Sequence, residues 1–188
     1  MRVPPSGTWE RRRADLFGLA ATADPGAAPE PGAAMDHLVR RYLEAFGPAS
    51  RKDVQCITGL SLTTIRPVIE RVATERFADE DGGELLDVPG APLPDPGTPA
   101  PPRLLPTWDA TLLVHARRTG LLPERFRPLC FNTKNPQSTP VFLVDGEVAG
   151  TWRLDPKQGF GAEPFERVPA GAMREVRAEG ERLATAFG

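Results

Sequence analysis

The spacing of apolar residues changes several times along the chain, and each change marks an element. From Asp36 it is helical: Leu38, Val39, Tyr42, Leu43 and Phe46 form one stripe behind an Asp36 N-cap. Gly47-Pro48 stops that helix, since proline lacks the N–H a continuing turn needs. Ser50 caps a second short helix carrying Val54 and Ile57, which Gly59 ends. Ser61 caps a third with Leu62, Ile65, Ile69 and Val72. Glu75 to Ala78 and Glu84 to Val88, joined by Asp79-Glu80-Asp81-Gly82-Gly83, read as a β-hairpin because Asp-Gly supplies the positive φ of a tight turn. Helix, helix, helix, hairpin is the order of a winged helix, assigned to residues 36–89.

The Pro-rich run 90–102 cannot donate a regular ladder of backbone hydrogen bonds and is expected to be a linker. Beyond it, 103–188 reads as a β-rich domain with a C-terminal helix. Arg103-Leu104-Leu105 is a short strand, and residues 140–154 form two strands joined at Asp145-Gly146. An amphipathic helix from Ala172 to Phe187 turns Met173, Val176, Leu183 and Phe187 toward the sheet. Asn132 to Ser138 lacks periodicity and reads as a mobile loop. Residues 1–35 hold a turn-rich start, Pro4 to Trp9, the run Arg11-Arg12-Arg13, a short helical stretch through Leu16, Phe17 and Leu19, and an irregular linker, Ala23 to Ala34. The expected fold class is α+β.

At 188 residues the chain can bury one sizeable core or two small ones. Cys56 and Cys130 sit in apolar surroundings without metal-ligand spacing, so they read as reduced, buried thiols. No stretch approaches the roughly 18 apolar residues of a membrane span, and the start Met-Arg-Val-Pro-Pro has no apolar signal core. A cytoplasmic protein without membrane contact is expected. Lys+Arg 23 against Asp+Glu 25 gives a net charge of −2, so any nucleic-acid contact must come from a local patch. No P-loop, dinucleotide glycine pattern, His-Glu-x-x-His or zinc spacing appears, and no cofactor or metal is expected.

Four segments, in order, carry a resemblance: Arg2-Val3-Pro4-Pro5-Ser6-Gly7-Thr8-Trp9; Arg41-Tyr42-Leu43-Glu44-Ala45-Phe46-Gly47-Pro48-Ala49; Leu104-Leu105-Pro106-Thr107-Trp108-Asp109 with His115 and Arg118; and Leu143-Val144-Asp145-Gly146 running to Gly150-Thr151-Trp152-Arg153. Together they resemble the bacterial winged-helix DNA glycosylases of the AlkZ and YcaQ kind, in the C-terminal portion of that family. The resemblance implies winged-helix units, a small β-rich domain and double-stranded DNA as partner. It also implies a catalytic Gln followed two residues later by Gln or Asp, in a region before the segment resembling Arg2 to Trp9. The three glutamines here, Gln55, Gln137 and Gln158, are followed at that spacing by Ile57, Thr139 and Phe160, so no catalytic residue is assigned.

Candidate DNA-contacting residues fall in three groups. Thr63, Thr64 and Arg66 open the third helix of the winged-helix segment, where a polar first turn can meet phosphates or base edges, although it can equally be a solvated face. Asp109 and His115 belong to the resembling motif; an ion-paired turn that fixes the β-rich domain and a role at the DNA backbone both remain open. Arg117, Arg118, Arg125 and Arg127 lie close in sequence, and a planar guanidinium pairs bidentately with phosphate. Segment 103–154 carries seven basic and four acidic residues, against seven and ten in 36–88, which favours the arginine group. Three functions follow: a DNA-binding module without the chemistry, an active glycosylase if the catalytic half is supplied, or a protein-interaction piece that self-associates or meets a partner chain through a surface the catalytic half would cover.

Overall fold

A computed structural model describes residues 30–116, 119–132, 137–155 and 157–187. The chain divides into two compact units, Met1–Ala34 and Met35–Gly188. The expected turn at Pro4 to Trp9, the Arg11-Arg12-Arg13 run, the helical stretch to Leu19 and the linker up to residue 29 lie outside the described residues.

The architecture is α+β. Helix α1, Pro31–Phe46, begins five residues before the expected start. Pro31 suits that position, because its fixed φ is helical and its missing N–H would have no partner there. Asp36 is therefore inside the helix rather than its cap, and its carboxylate meets Arg71 at 2.5 Å. The buried stripe is narrower than expected: Val39, Tyr42 and Leu43 are buried, whereas Leu38 is 46% exposed. Gly47 ends the helix where a β-carbon would meet Leu43 O and Asp87 Oδ1, each at 2.6 Å.

Helix α2, Arg51–Thr58, has the expected caps. Ser50 accepts from the Asp53 amide, the Asp53 carboxylate reaches back to the Ser50 amide, and Gly59 closes the helix at φ 68°. Helix α3, Leu62–Val72, is capped by Ser61 and buries Ile65, Val68, Ile69 and Val72, while Leu62 stays exposed. Strands β1, Glu75–Ala78, and β2, Glu84–Asp87, pair antiparallel. Ala49 adds a bridge to Leu86, so the loop before α2 joins the hairpin. Val39, Leu43, Val54, Ile65, Ile69 and Leu86 form the core of this half.

Residues 90–102 contain no helix or strand. After them, β3, Arg103–Leu105, leads to the short helix α4, Ala110–Leu113. A 3-10 turn, Glu124–Phe126, runs into α5, Arg127–Cys130. Phe131–Asn132 (β4) and Gln137–Ser138 (β5) pair antiparallel, so the ends of the expected mobile loop are a small hairpin; 133–136 lie outside the described residues. Strands β6, Val141–Val144, and β7, Glu147–Asp155, turn at Asp145 and Gly146, whose φ values of 50° and 82° match the two positive-φ positions of a tight hairpin. An additional strand, β8, Gly159–Pro164, completes an antiparallel sheet of order β3-β6-β7-β8.

Helix α6, Ala170–Phe187, packs against β8 and β3. Val176 is buried, Met173 and Leu183 are half-buried, and the Phe187 side chain lies outside the described residues. Gly180 lies directly against the Phe160 ring, where no β-carbon fits. Leu105, Leu122, Phe126, Val141 and Val148 make a second core. Leu112 packs on this second core while Val114 is buried in the first, so the α4 segment stitches the two together. No helix among the described residues is long and apolar enough to cross a membrane.

Candidate nucleic-acid interface

The first turn of α3 is built by its cap. Ser61 Oγ accepts from the Thr64 amide at 3.2 Å and bonds Thr64 Oγ1 at 2.8 Å, which ties the Thr64 hydroxyl to the helix end. Thr63, Thr64 and Arg66 are all exposed. Thr63 and Arg66 line a shallow hollow of about 370 Å³ with Pro67 and Glu70. Their helix cannot rotate freely, because Ile65, Val68, Ile69 and Val72 lock its other face into the core.

A four-membered charge network lies between α2, α3 and the hairpin. The Arg51 guanidinium donates to Glu70 at 3.0 Å and Glu84 at 3.1 Å. Arg76 meets Glu84 at 3.3 Å and Glu70 at 3.8 Å. Desolvation pulls the Arg51 pKa down, yet the bonds and charges of Glu70 and Glu84 outweigh it and leave the group raised. Sequence reading missed this network, since its members are far apart in the chain.

Asp109 and His115 hold the junction between the two cores. Asp109 caps α4, its Oδ1 accepting from the Thr111 amide at 2.8 Å. His115 is 9% exposed and lies against Tyr42 and Asp53. The Tyr42 hydroxyl donates its hydrogen to Val114 O at 2.9 Å, so it accepts from His115 Nδ1 at 3.1 Å, which places the imidazole proton on Nδ1. His115 Nε2 is buried without a hydrogen-bond partner among the described residues.

Asp53 is the centre of this junction. Its Oδ1 accepts from the Ala116 amide at 2.7 Å, and its Oδ2 accepts from the Ser50 amide at 2.9 Å and the Ser50 hydroxyl at 2.6 Å. His115 Nδ1 stands 3.8 Å from Oδ2. Burial alone would raise its pKa, but His115, the Ser50 hydroxyl and the Ser50 and Ala116 amides together hold the carboxyl well below the usual range. The Ser50-x-x-Asp53 spacing carried the signal for half of this arrangement, as a capping box with Asp in the acidic position. By contrast, burial raises the pKa of Asp87, which is 2% exposed and bonded to the Val88 amide at 2.8 Å.

The arginine group divides. Arg125 forms a two-pronged pair with Glu166, at 3.0 and 3.2 Å, and its guanidinium lies 4.3 Å from the Phe126 ring centroid. Glu166 raises the Arg125 pKa, and Arg125 in turn lowers that of Glu166. Arg127 lies 5.5 Å over the Phe131 ring and lines an open hollow of about 670 Å³ with Glu124, Leu129, Phe131, Asn132 and Thr139. Arg117 and Arg118 lie outside the described residues.

Cys130 is buried, and desolvation pushes its thiol up to about 11. Cys56 is exposed, contrary to expectation: it follows the inward-facing Val54 by two residues, about 200° around the helix, and so turns outward. Among the described residues no group of three or more His, Cys, Asp or Glu could hold a metal ion.

Residues 1–186 match the AlkZ-like family, described as DNA glycosylase AlkZ-like. The Streptomyces sahachiroi DNA glycosylase AlkZ has a similar structure, with a TM-score of 0.69 and 25% identity over 87% of this chain and 46% of that one. The chain thus spans less than half the length of that glycosylase. No curated protein matches. With three helices, a hairpin and a four-stranded sheet laid out under a match that runs through residue 186, the chain belongs to the AlkZ-like DNA glycosylase family.

Proposed function

We propose that this chain is a DNA-binding part of a DNA glycosylase system, in which residues 36–89 act as a winged helix and 103–188 as a β-rich support. The observation that carries the reading is the disposition of α3: its apolar side is locked in the core while Thr63, Thr64 and Arg66 face solvent beside a hairpin. That is how a recognition helix meets a duplex. Arg127 adds a guanidinium for phosphate from the other half, with Arg125 held in reserve by Glu166. Asp109 and His115, being a helix cap and a buried ring, serve DNA binding by fixing the junction between the cores.

The test is binding of the chain to a labelled duplex across a salt series, beside an Arg117, Arg118, Arg125 and Arg127 to Ala variant, with base release from alkylated DNA assayed in parallel. Steep salt dependence that the variant flattens, without base release, supports the binding reading. None of the three glutamines has the family's Gln-x-Gln or Gln-x-Asp spacing, so base release would assign the chemistry to other residues. Absence of binding would favour the interaction reading, with the exposed Ile57 and Leu62 flanking the α2–α3 turn as the apolar contact.

A further inference from the structure

Trp108 combines a left-handed backbone with an exposed aromatic ring. Its φ is 59°, the left-handed region that costs a bulky residue on the order of 1–2 kcal/mol. The residue is nevertheless 52% exposed, so about half of its surface stays open to a ligand. The backbone is held there from both sides. The Trp108 amide donates to the buried Ser138 Oγ at 2.5 Å, and the next residue, Asp109, is committed to capping α4. Strain of this kind, fixed by its surroundings, is characteristic of residues held for a ligand.

The surroundings indicate which ligand. The neighbours in sequence, Thr107 and Asp109, are polar. The anchor Ser138 pairs across the β4–β5 hairpin with Phe131, over which the Arg127 guanidinium lies. The anchor of the exposed indole is therefore paired across the hairpin with a second aromatic ring, and that ring and the Arg127 guanidinium of α5 line an open hollow of about 670 Å³. Flat aromatic faces with a nearby guanidinium are how proteins hold an unstacked nucleobase and its phosphate.

We propose that Trp108 is a stacking platform for an unpaired or extruded nucleobase, with Arg127 placed to meet its backbone. This rests on the DNA-binding reading and adds a preference to it: the chain favours DNA in which a base is already out of the helical stack. The anchored backbone matters, because a turn already fixed in position loses little conformational freedom when a base stacks on the ring it carries.

The experiment measures binding, by fluorescence anisotropy at one fixed salt concentration, to a fully paired duplex and to the same duplex with one bulged adenine. The chain is compared with Trp108→Gly and Trp108→Phe. Glycine adopts a φ of 59° without strain, so Trp108→Gly removes the ring while preserving the turn. The expected result is tighter binding of the bulged duplex, roughly 5- to 100-fold, abolished in Trp108→Gly and largely kept in Trp108→Phe. The affinity of Trp108→Gly for the paired duplex should stay that of the parent chain. Equal binding of both duplexes by the parent, or an undiminished preference in Trp108→Gly, overturns the stacking role and leaves the DNA-binding reading intact. Binding of neither duplex overturns both.

Discussion

Asp53 on α2 accepts the backbone N–H of Ala116 at 2.7 Å, a hydrogen bond that pins the segment leaving α4 to the helical half. Between these two residues lie the hairpin, the Pro-rich stretch and the first strand of the sheet. The bond thus closes this loop together with the Tyr42–Val114 hydrogen bond and the burial of Val114 and His115.

Asp53→Asn should loosen that closure. The amide keeps one acceptor but loses the charge that faces the Ser50 and Ala116 amides, at an expected cost of about 1–3 kcal/mol in urea unfolding. The pH dependence follows from the same carboxylate. Its folded pKa lies below its unfolded value of about 3.9, so the stabilisation is complete above that value and is lost as pH falls through it and beyond. The parent chain should lose stability steeply below about pH 4, and Asp53→Asn should flatten this component. Unfolding midpoints measured from neutral to acid pH check both.

Gly180→Ala should destabilise the chain although alanine is the better helix former by about 1 kcal/mol. The new methyl group meets the base of the Phe160 ring, and that ring is also stacked with Trp152 at 6.2 Å. Overpacking of this kind costs about 1–3 kcal/mol. Phe160→Leu in the same chain should recover most of the loss, so the two substitutions should be strongly non-additive in thermal unfolding.

Much of this architecture was legible in the sequence, because it rests on local chemistry. Ser50, Gly59 and Ser61 fixed the helix ends, and Asp145-Gly146 fixed the β6–β7 turn. Strand β8 was not legible: Gly159-Phe160-Gly161-Ala162-Glu163-Pro164 is short of the β-branched residues that mark a strand, and its pairing with β7 supplies the order instead. The start of α1 was missed because Pro31 and Gly32 read as linker. In the candidate site, the exposed turn of α3 followed from helical periodicity. The Arg51, Glu70, Arg76 and Glu84 network, the Arg125–Glu166 pair and the Asp53 junction depend on contacts between distant segments, which spacing does not encode.

Glu84→Gln tests what that network does to the hairpin face. It takes one charged partner from each of Arg51 and Arg76 and leaves a neutral amide oxygen in its place. All four side chains are partly exposed, so the stability change should stay below about 1 kcal/mol and shrink further in high salt. If α3 and the hairpin meet DNA, the uncovered guanidiniums should tighten duplex binding at low salt and steepen the salt dependence by up to about one phosphate contact per arginine. Unchanged affinity would place the DNA contact elsewhere.

Arg125→Ala and Arg127→Ala should differ, although the two residues are neighbours in sequence. Arg125 is already engaged on two donors by Glu166, and phosphate would have to displace a bidentate carboxylate before gaining anything. Arg127 lies over the Phe131 ring, an arrangement that leaves in-plane N–H donors for an acceptor in the hollow it lines. Arg127→Ala should therefore weaken duplex binding and reduce the slope of log affinity against log salt by about 1, whereas Arg125→Ala should change the slope by much less. Glu166→Gln provides the control: releasing Arg125 should tighten binding, and adding Arg125→Ala should cancel that gain. Equal losses for the two arginine variants would show that the Glu166 pair opens on the DNA, and the cost of opening it would then appear as a weaker affinity than two unpaired arginines would give.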